Sequence, residues 1–381
     1  MSRTLRTDRI RAIHTARVSP TVRPELLVSG ARGSHDRSDF LLVRIVTTAG
    51  IEGIGEVSGT LLWSGEDSAT AEHVIGRALV PALIGQPLVP VAALEARMDR
   101  ALAGNPFTKA GVSIALWDAY AKALDVPLAV ALGGPMRTEV AIKCSLSGNG
   151  GRLRAGLARA QESGFRAFKI KIGLDVDSDV ERMAELRALV GPDTMIGLDA
   201  NGGYSRADAR RAGERLLEFG PAFFEQPVAP ADLVGMRDLR GLGIPVVGDE
   251  TVFGSEDLMA AIRADALDVV SLYVGKSGGP GRAVTMGRIA HAAGVDIVIG
   301  SNGELGVGAA AQLHVACALE ALGAIPSDII GAAYYDSDVV RIGIDTDGVR
   351  ARLGDAPGLG VVLDDHLSAR LRDGSSEQGV R

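Results

Sequence analysis

Charged side chains close a series of short β-type runs at Lys171, Asp199, Glu225, Asp249, Lys276 and Glu304, each 24 to 28 residues beyond the last. The runs cover residues 140–146, 167–172, 195–199, 223–225, 246–249, 269–274 and 297–299, and amphipathic helical stretches separate them. One strand, its turn and a returning helix use roughly 25–30 residues, so the interval is that of a βα unit repeated around a TIM-type barrel. An eighth strand is weak in sequence and is placed near residues 324–329. Strands buried on both faces need near-continuous apolar runs. The composition supplies them: 46% of the residues are apolar and only 4% aromatic, so the core is built from Ala, Val, Leu and Ile.

The first third of the 381-residue chain has a different texture. Residues 10–18, 40–47 and 53–57 read as strands, with Ala49-Gly50 as a hairpin turn. Helical patterns follow at 68–83, 91–102 and 109–123. Residues 1–135 therefore read as a small α+β domain, 136–345 as the barrel, and 346–381 as a segment packing back on the first domain. Residues 18–37, polar and Pro- and Gly-containing, read as a long loop, a kind that is usually functional. Turn signals stand at Asp347-Gly348 and Pro357-Gly358.

The formal charge of -7 argues against nucleic acid as a partner. No run of about 18 apolar residues suits a membrane span. Residues 1–11 are polar and Arg-rich, unlike a secretory signal. The two cysteines, Cys144 and Cys317, have no metal-like spacing. A reducing, cytoplasmic setting is the expectation.

In a TIM-type barrel the C-terminal strand ends form the active site. Lys169, Lys171, Asp199, Glu225, Asp249, Glu250, Lys276 and Glu304 are thus expected to converge. Three acids on adjacent strands raise one another's pKa, and a hard divalent cation relieves them. Oxygen donors without His or Cys point to Mg²⁺, or to Mn²⁺. Asp199, Glu225 and Asp249 are the expected ligands, leaving positions for water and a substrate carboxylate. Lys169 and Lys171, two apart on a strand, share a face. Their ammonium groups are expected to depress each other, which suits a general base. Lys276 approaches from the other side. The pair serves 1,1-proton transfer, or a one-sided reaction with the second lysine as electrostatic partner. The metal would stabilise the enediolate formed by loss of a proton α to a carboxylate.

These residues resemble the muconate-lactonising branch of the enolase superfamily. The matching pieces are Lys169-Ile-Lys171, Asp199-Ala-Asn201, Glu225-Gln-Pro227, Asp249-Glu250, Lys276-Ser-Gly-Gly279 and Pro357-Gly-Leu-Gly360. The likeness runs from Gly53-Ile-Gly-Glu56 onward. It implies an α/β fold in which an N-terminal α+β domain caps a (β/α)7β-like barrel. It also implies Lys171 and Lys276 as acid/base groups, with Asn201 and Glu250 behind the metal ligands. Enolase-superfamily sites as a class combine a Lys or His base with one or two Mg²⁺ ions. Trp63-Ser-Gly-Glu66, Pro81-Ala-Leu-Ile-Gly85 and Gly104-Asn-Pro-Phe-Thr-Lys109 resemble muconate cycloisomerases in particular. Ser147, Tyr273 and Glu304 are the expected substrate contacts, although Glu304 reads equally as a structural salt-bridge partner. A homo-oligomer acting on a small carboxylate is implied.

Two departures lie near the substrate: Tyr273 where many members carry lysine, and Gly300-Ser-Asn-Gly303 in the seventh-strand segment. The leading expectation is a muconate cycloisomerase. The alternatives are a racemase or epimerase of an N-acylated amino acid or dipeptide, and a hydroxy-acid dehydratase. Asp328-Ile-Ile330 carries one acid where dipeptide epimerases show two, and Ala309–Ala311 stand where N-acylamino acid racemases carry Arg and Asn. His291 and His314 read as core histidines, Gly278-Gly279-Pro280-Gly281 as a turn opening a helix, and both cysteines as packing residues. No G-x-S-x-G elbow supports hydrolase chemistry.

Overall fold

The computed structural model describes residues 7–34 and 38–373. Residues 1–6 and 374–381, and the end of the long loop at 35–37, lie outside the described residues. Strands β1 (Ile10–Val18), β2 (Phe40–Thr47) and β3 (Glu52–Val57) form an antiparallel sheet in that order. The β2–β3 turn closes where the Gly50 amide donates to Thr47 O at 3.1 Å. The helix expected over 68–83 consists of three abutting segments, Ser68–Val74, a π turn at Ile75–Leu79, and Val80–Leu83. Helices α1 (Val91–Ala101) and α2 (Pro106–Ala123) complete the unit. The second starts three residues earlier than the pattern suggests, because Pro106 occupies its first position, where the missing N–H costs nothing. Gly53 and Gly55 explain the Gly-Ile-Gly motif. A Cβ on either would lie 2.0 Å from a carbonyl oxygen of α2, so the helix packs directly on the β3 backbone.

The barrel strands are β4 (Cys144–Leu146), β5 (Phe168–Lys171), β6 (Ile196–Asp199), β7 (Phe224–Glu225), β8 (Val246–Gly248), β9 (Val269–Leu272) and β10 (Asp296–Ile299), all parallel and paired in sequence order. Helices α3 (Gly151–Glu162) through α9 (Gly306–Ala318) alternate with them. The register puts Lys171 and Glu225 on either side of Asp199, and Val247 beside Glu225. Phe223, Val247, Val269 and Val298 form an apolar plug of their own inside the barrel, separate from the shell between strands and helices.

The eighth strand forms no regular ladder, but its segment closes the sheet. Gly323 and Asp328 donate to Ile297 O and Ile299 O on one side, and Ser327 pairs with Ala141 and Lys143 on the other. That pairing also splits the run expected over 140–146. Glu139–Ala141 leaves the barrel to pair antiparallel with Arg350–Arg352. The C-terminal segment touches both units. The Leu359 amide donates to Asp118 of α2 at 2.8 Å, and the final helix, Asp365–Asp373, offers Leu371 O to Arg44 of β2.

Among the described residues no helix is long and apolar enough to cross a membrane. Both cysteines are buried, and burial pushes the Cys144 thiol up to about 12. The Gly278–Gly281 turn opens α8 (Pro280–Ala292).

His314 lies buried in α9, its Nδ1 accepting from the Ala129 amide at 3.0 Å. Burial holds its pKa down at about 4, against a weaker upward pull from the Leu359 backbone. The unfolded chain therefore binds this proton first as pH falls. Stability is expected to drop between pH 6.5 and 4, by at most about 3 kcal/mol from this group. Urea denaturation across that window should show a shallower fall in His314→Asn, which keeps an acceptor near Nδ1 and cannot titrate.

Candidate active site

Strand β5 alternates Phe168 and Ile170 into the shell with Lys169 and Lys171 into the barrel. The next strands add Asp199, Glu225 and, just past β8, Asp249. Lys276 follows β9 on a turn. Around the sheet the order is lysine, Asp199, Glu225, Asp249, lysine: the acids occupy three consecutive strands and the lysines stand at both ends. Lys171 Nζ donates to Asp199 Oδ2 at 2.6 Å. Lys276 Nζ donates to Asp249 Oδ1 at 2.5 Å and to its carbonyl at 2.7 Å. Lys169 reaches both Glu225 oxygens, at 3.1 and 3.2 Å, and lies 3.4 Å from Asp199.

The adjoining motif residues hold this arc in place. Asn201 has a φ of 44°, donates through Nδ2 to Glu250 at 3.0 Å, and accepts from Lys171 at 2.8 Å. Gln226, with a φ of 38°, accepts through Oε1 from the Asp249 and Thr251 amides at 3.1 and 3.0 Å. Left-handed backbone at non-glycine residues costs energy and persists where surrounding bonds enforce it.

Burial pushes the Glu225 carboxyl up to about 8; Lys169 opposes this and Asp199 and Asp249 add to it. Burial and the charges of Asp249 and Asp199 push Glu250 up to about 7. Asp199 stays at about 2, because Lys171 and Lys169 outweigh its desolvation. The expectation for Lys169 is corrected. Burial lowers it, but Asp328, Glu225 and Asp199 together hold it above the usual lysine range. Surrounding acids, not the neighbouring lysine, dominate its environment.

The donors fit a hard divalent cation. Asp199, Glu225 and Asp249 supply only carboxylate oxygens, two acids of the cluster are driven toward protonation, and Glu250 Oε2 is buried without a hydrogen-bond partner. In the arrangement seen, ammonium groups take the carboxylate oxygens. Among the described residues no three acidic, His or Cys side chains converge as a ready-made ligand set.

A cavity opens above this layer. Lys169, Lys171, Asn201, Tyr273 and Asp328 form its floor and wall; Val22, Leu26, Arg32 and Trp63 of the first domain roof it. Trp63 stacks on Tyr273 at 5.4 Å and donates to Glu250 at 3.1 Å. Tyr273 donates to Asp249 at 2.8 Å and lays its ring 4.3 Å from Lys276 Nζ. Gly300 makes room for it, since a Cβ there would lie 2.0 Å from the tyrosine ring.

Two expected substrate contacts do not line the cavity. Ser147 Oγ instead accepts from the Ser29 amide and donates to Leu27 O, both at 3.0 Å, pinning the long loop. Glu304 is buried behind Ser301 and Asn302, accepting from the Asn302 amide and from Gln312. Nearby, Glu56 of β3 accepts from the Leu305 and Gly308 amides, capping α9 from the other domain. Sequence reasoning missed Arg32 and Lys143 as site residues, and weighed Asp328 only as the single acid of the eighth-strand segment. Lys143 carried part of the signal of Lys169 and Lys171, a lysine set among apolar residues, but without a second lysine two positions away. Arg32, in a polar loop, carried none. Its Nε lies 3.4 Å from Glu250.

Residues 11–133 match the mandelate racemase/muconate lactonizing enzyme N-terminal domain, and residues 152–367 the enolase C-terminal domain-like family. Muconate cycloisomerase 1 of Rhodococcus opacus is 30% identical over 350 residues, 90% of this chain and 93% of that protein. The N-succinyl-L-Arg/Lys racemase of Bacillus cereus is 29% identical over 366 residues, 95% and 98% of the two chains. The muconate lactonizing enzyme of Pseudomonas fluorescens, in complex with muconolactone, superposes with a TM-score of 0.89 at 28% identity, covering 96% of this chain and 99% of that one. Members of the family use Mg²⁺ in general. With its barrel, capping domain and both family domains in order, the chain belongs to the enolase superfamily, in the muconate-lactonizing enzyme subgroup.

Proposed function

We propose that this protein catalyses Mg²⁺-dependent proton transfer at the carbon α to a substrate carboxylate, and that the reaction is the interconversion of cis,cis-muconate and its lactone. The observation that carries the reaction class is the bracketing of Asp199, Glu225 and Asp249 by Lys171 and Lys276. Held by those acids, Mg²⁺ supplies positive charge against the negative charge that develops on the substrate carboxylate. Lys171 Nζ, at the cavity floor, delivers the proton to the α carbon during lactonisation and removes it in reverse. The second carboxylate of muconate adds to the neighbouring carbon, or leaves it. Lys276, buried on the far side, keeps a cationic group opposite Lys171.

The walls suit a thin, conjugated dicarboxylate. Val22, Leu26, Trp63, Tyr334 and Tyr335 are apolar or aromatic, and Arg32 offers a cation for the second carboxylate. A second reading, racemisation of an N-succinyl amino acid, is favoured by the presence of a lysine on each side, as 1,1-proton transfer requires. The 29% identity to an N-succinyl-amino-acid racemase supports it as well.

Muconate with Mg²⁺-supplemented protein is expected to lose its ultraviolet absorbance as the conjugated diene closes; no loss at micromolar enzyme, together with α-deuterium wash-in on N-succinyl amino acids, would shift the assignment to the second reading. Lys171→Ala should lower turnover of whichever substrate is accepted by roughly 10²–10⁴-fold. A merely twofold effect in steady-state assays would remove Lys171 from the reaction. Chelation should abolish turnover, and added Mg²⁺ should restore it. Magnesium should also raise the thermal midpoint of wild type and not that of Glu225→Gln, because only the folded site offers the ligands.

A further inference from the structure

Lys143 is buried and is used neither in holding the cation nor in moving the proton. It stands immediately before β4, and its Nζ donates to Asp328 Oδ2 at 2.9 Å and to Pro326 O at 2.6 Å. The ammonium also lies 5.6 Å from the Phe223 ring centroid, above the apolar plug. Asp328 sits on the segment that closes the barrel, and it lines the cavity. The same Oδ2 accepts from Lys169 at 3.3 Å.

A buried ammonium is costly unless its charge is needed; an apolar side chain of similar length would fill the same space more cheaply. The need is visible in the neighbouring contacts. Lys169 divides its charge among Glu225, Asp199 and Asp328, so it neutralises Asp328 only in part. Without Lys143 the cavity wall would present a surplus negative charge to the distal part of the substrate. A carboxylate at a cavity wall is a natural counter-charge for a substrate ammonium. Lys143 occupies that carboxylate from behind.

We propose that Lys143 determines specificity by cancelling Asp328, so that the site accepts carboxylates whose distal part is anionic or acylated and rejects those carrying a free ammonium there. The inference rests on the proton-transfer reading above and adds the substrate class. Lys143 acts through Asp328 and is not itself a catalytic residue.

The test uses two ligands that differ by acetylation of the ammonium, glycyl-L-leucine and N-acetylglycyl-L-leucine. Both are titrated calorimetrically into Mg²⁺-supplemented full-length protein. Wild type is expected to prefer the acetylated ligand. In Lys143→Met the preference should move by roughly tenfold or more toward the free dipeptide, as expected for an unpaired charge in a specificity pocket. Lys143→Arg should keep the wild-type ratio. The double variant Lys143→Met with Asp328→Asn should lose the shift. A ratio in Lys143→Met within about twofold of wild type overturns the proposal, and so does a shift that survives in the double variant. Binding of neither ligand by any variant overturns it too. Should Lys143→Met fail to fold by circular dichroism, Asp328→Asn decides. Leaving Lys143 unpaired, it should move the ratio further toward the acetylated ligand, and an unchanged ratio rejects the idea. Deuterium exchange at the leucine α carbon, and muconate turnover, report separately on the reading beneath. If wild type catalyses neither but the binding ratios move as stated, the proton-transfer reading fails and the role of Lys143 stands.

Discussion

Everything at the open end of the barrel depends on a balance of buried charge. Asp199, Glu225, Asp249, Glu250 and Asp328 face Lys143, Lys169, Lys171 and Lys276 in a layer that water barely reaches. No member is tolerable alone, since an isolated ion in such surroundings loses several kcal/mol of hydration that only a partner can offset. The layer is therefore cooperative. Remove one ion and its partner becomes the uncompensated charge. Five acids face four lysines there, so the acids are in surplus, and burial first and the neighbouring carboxylates second displace Glu225 and Glu250 upward. A site that attracts a dication and a substrate carboxylate together needs that imbalance.

The layer is held in place from three sides. Beneath it, Phe223, Val247, Val269 and Val298 close the barrel interior. Along its rim, the left-handed backbone at Asn201 and Gln226 turns two side-chain amides back onto Lys171, Glu250 and the Asp249 amide. Above it, the first domain contributes Trp63, packed against Tyr273, and Glu56, which caps α9. The two folding units thus share the site. The barrel provides the reactive charges, and the capping domain provides the roof and one of the helix caps that fix the seventh-strand turn.

The charge layer was legible in the sequence because two periodicities coincide there. A βα unit sets the distance between strand ends, and strand alternation sets which side chains enter the barrel. Lys169, Lys171, Asp199 and Glu225 lie on regular strands and obey both. Residues beyond the strand ends lose that guidance. Glu304 is five residues past β10, on a turn that swings its carboxylate behind the wall, and Ser147 is one past β4, where it faces the long loop. The eighth strand was faint because it makes a single isolated bridge, Ser327 to Ile142, and separate hydrogen bonds to β10, but never a ladder. Lys143 was overlooked for a related reason: its run divides where the chain crosses from the sheet with Arg350–Arg352 into the barrel.

The same division explains why relatives with different reactions resemble this chain equally. In the proposed reading, acids and lysines on the strands carry proton transfer beside a carboxylate, a chemistry common to cycloisomerisation and racemisation. What separates them is the shape and charge around the rest of the substrate. In this chain those surfaces come from the 18–34 loop with Arg32, the Trp63 turn, Ser301–Gly303 and the closing segment with Asp328. These parts lie outside the barrel strands, so a change in them leaves the strand register undisturbed. Asp328 is the one place where the two layers touch, because its carboxylate faces the cavity while sharing Lys169 with Glu225. A change in its charge is therefore felt at once in the cavity and by the acids of the buried layer.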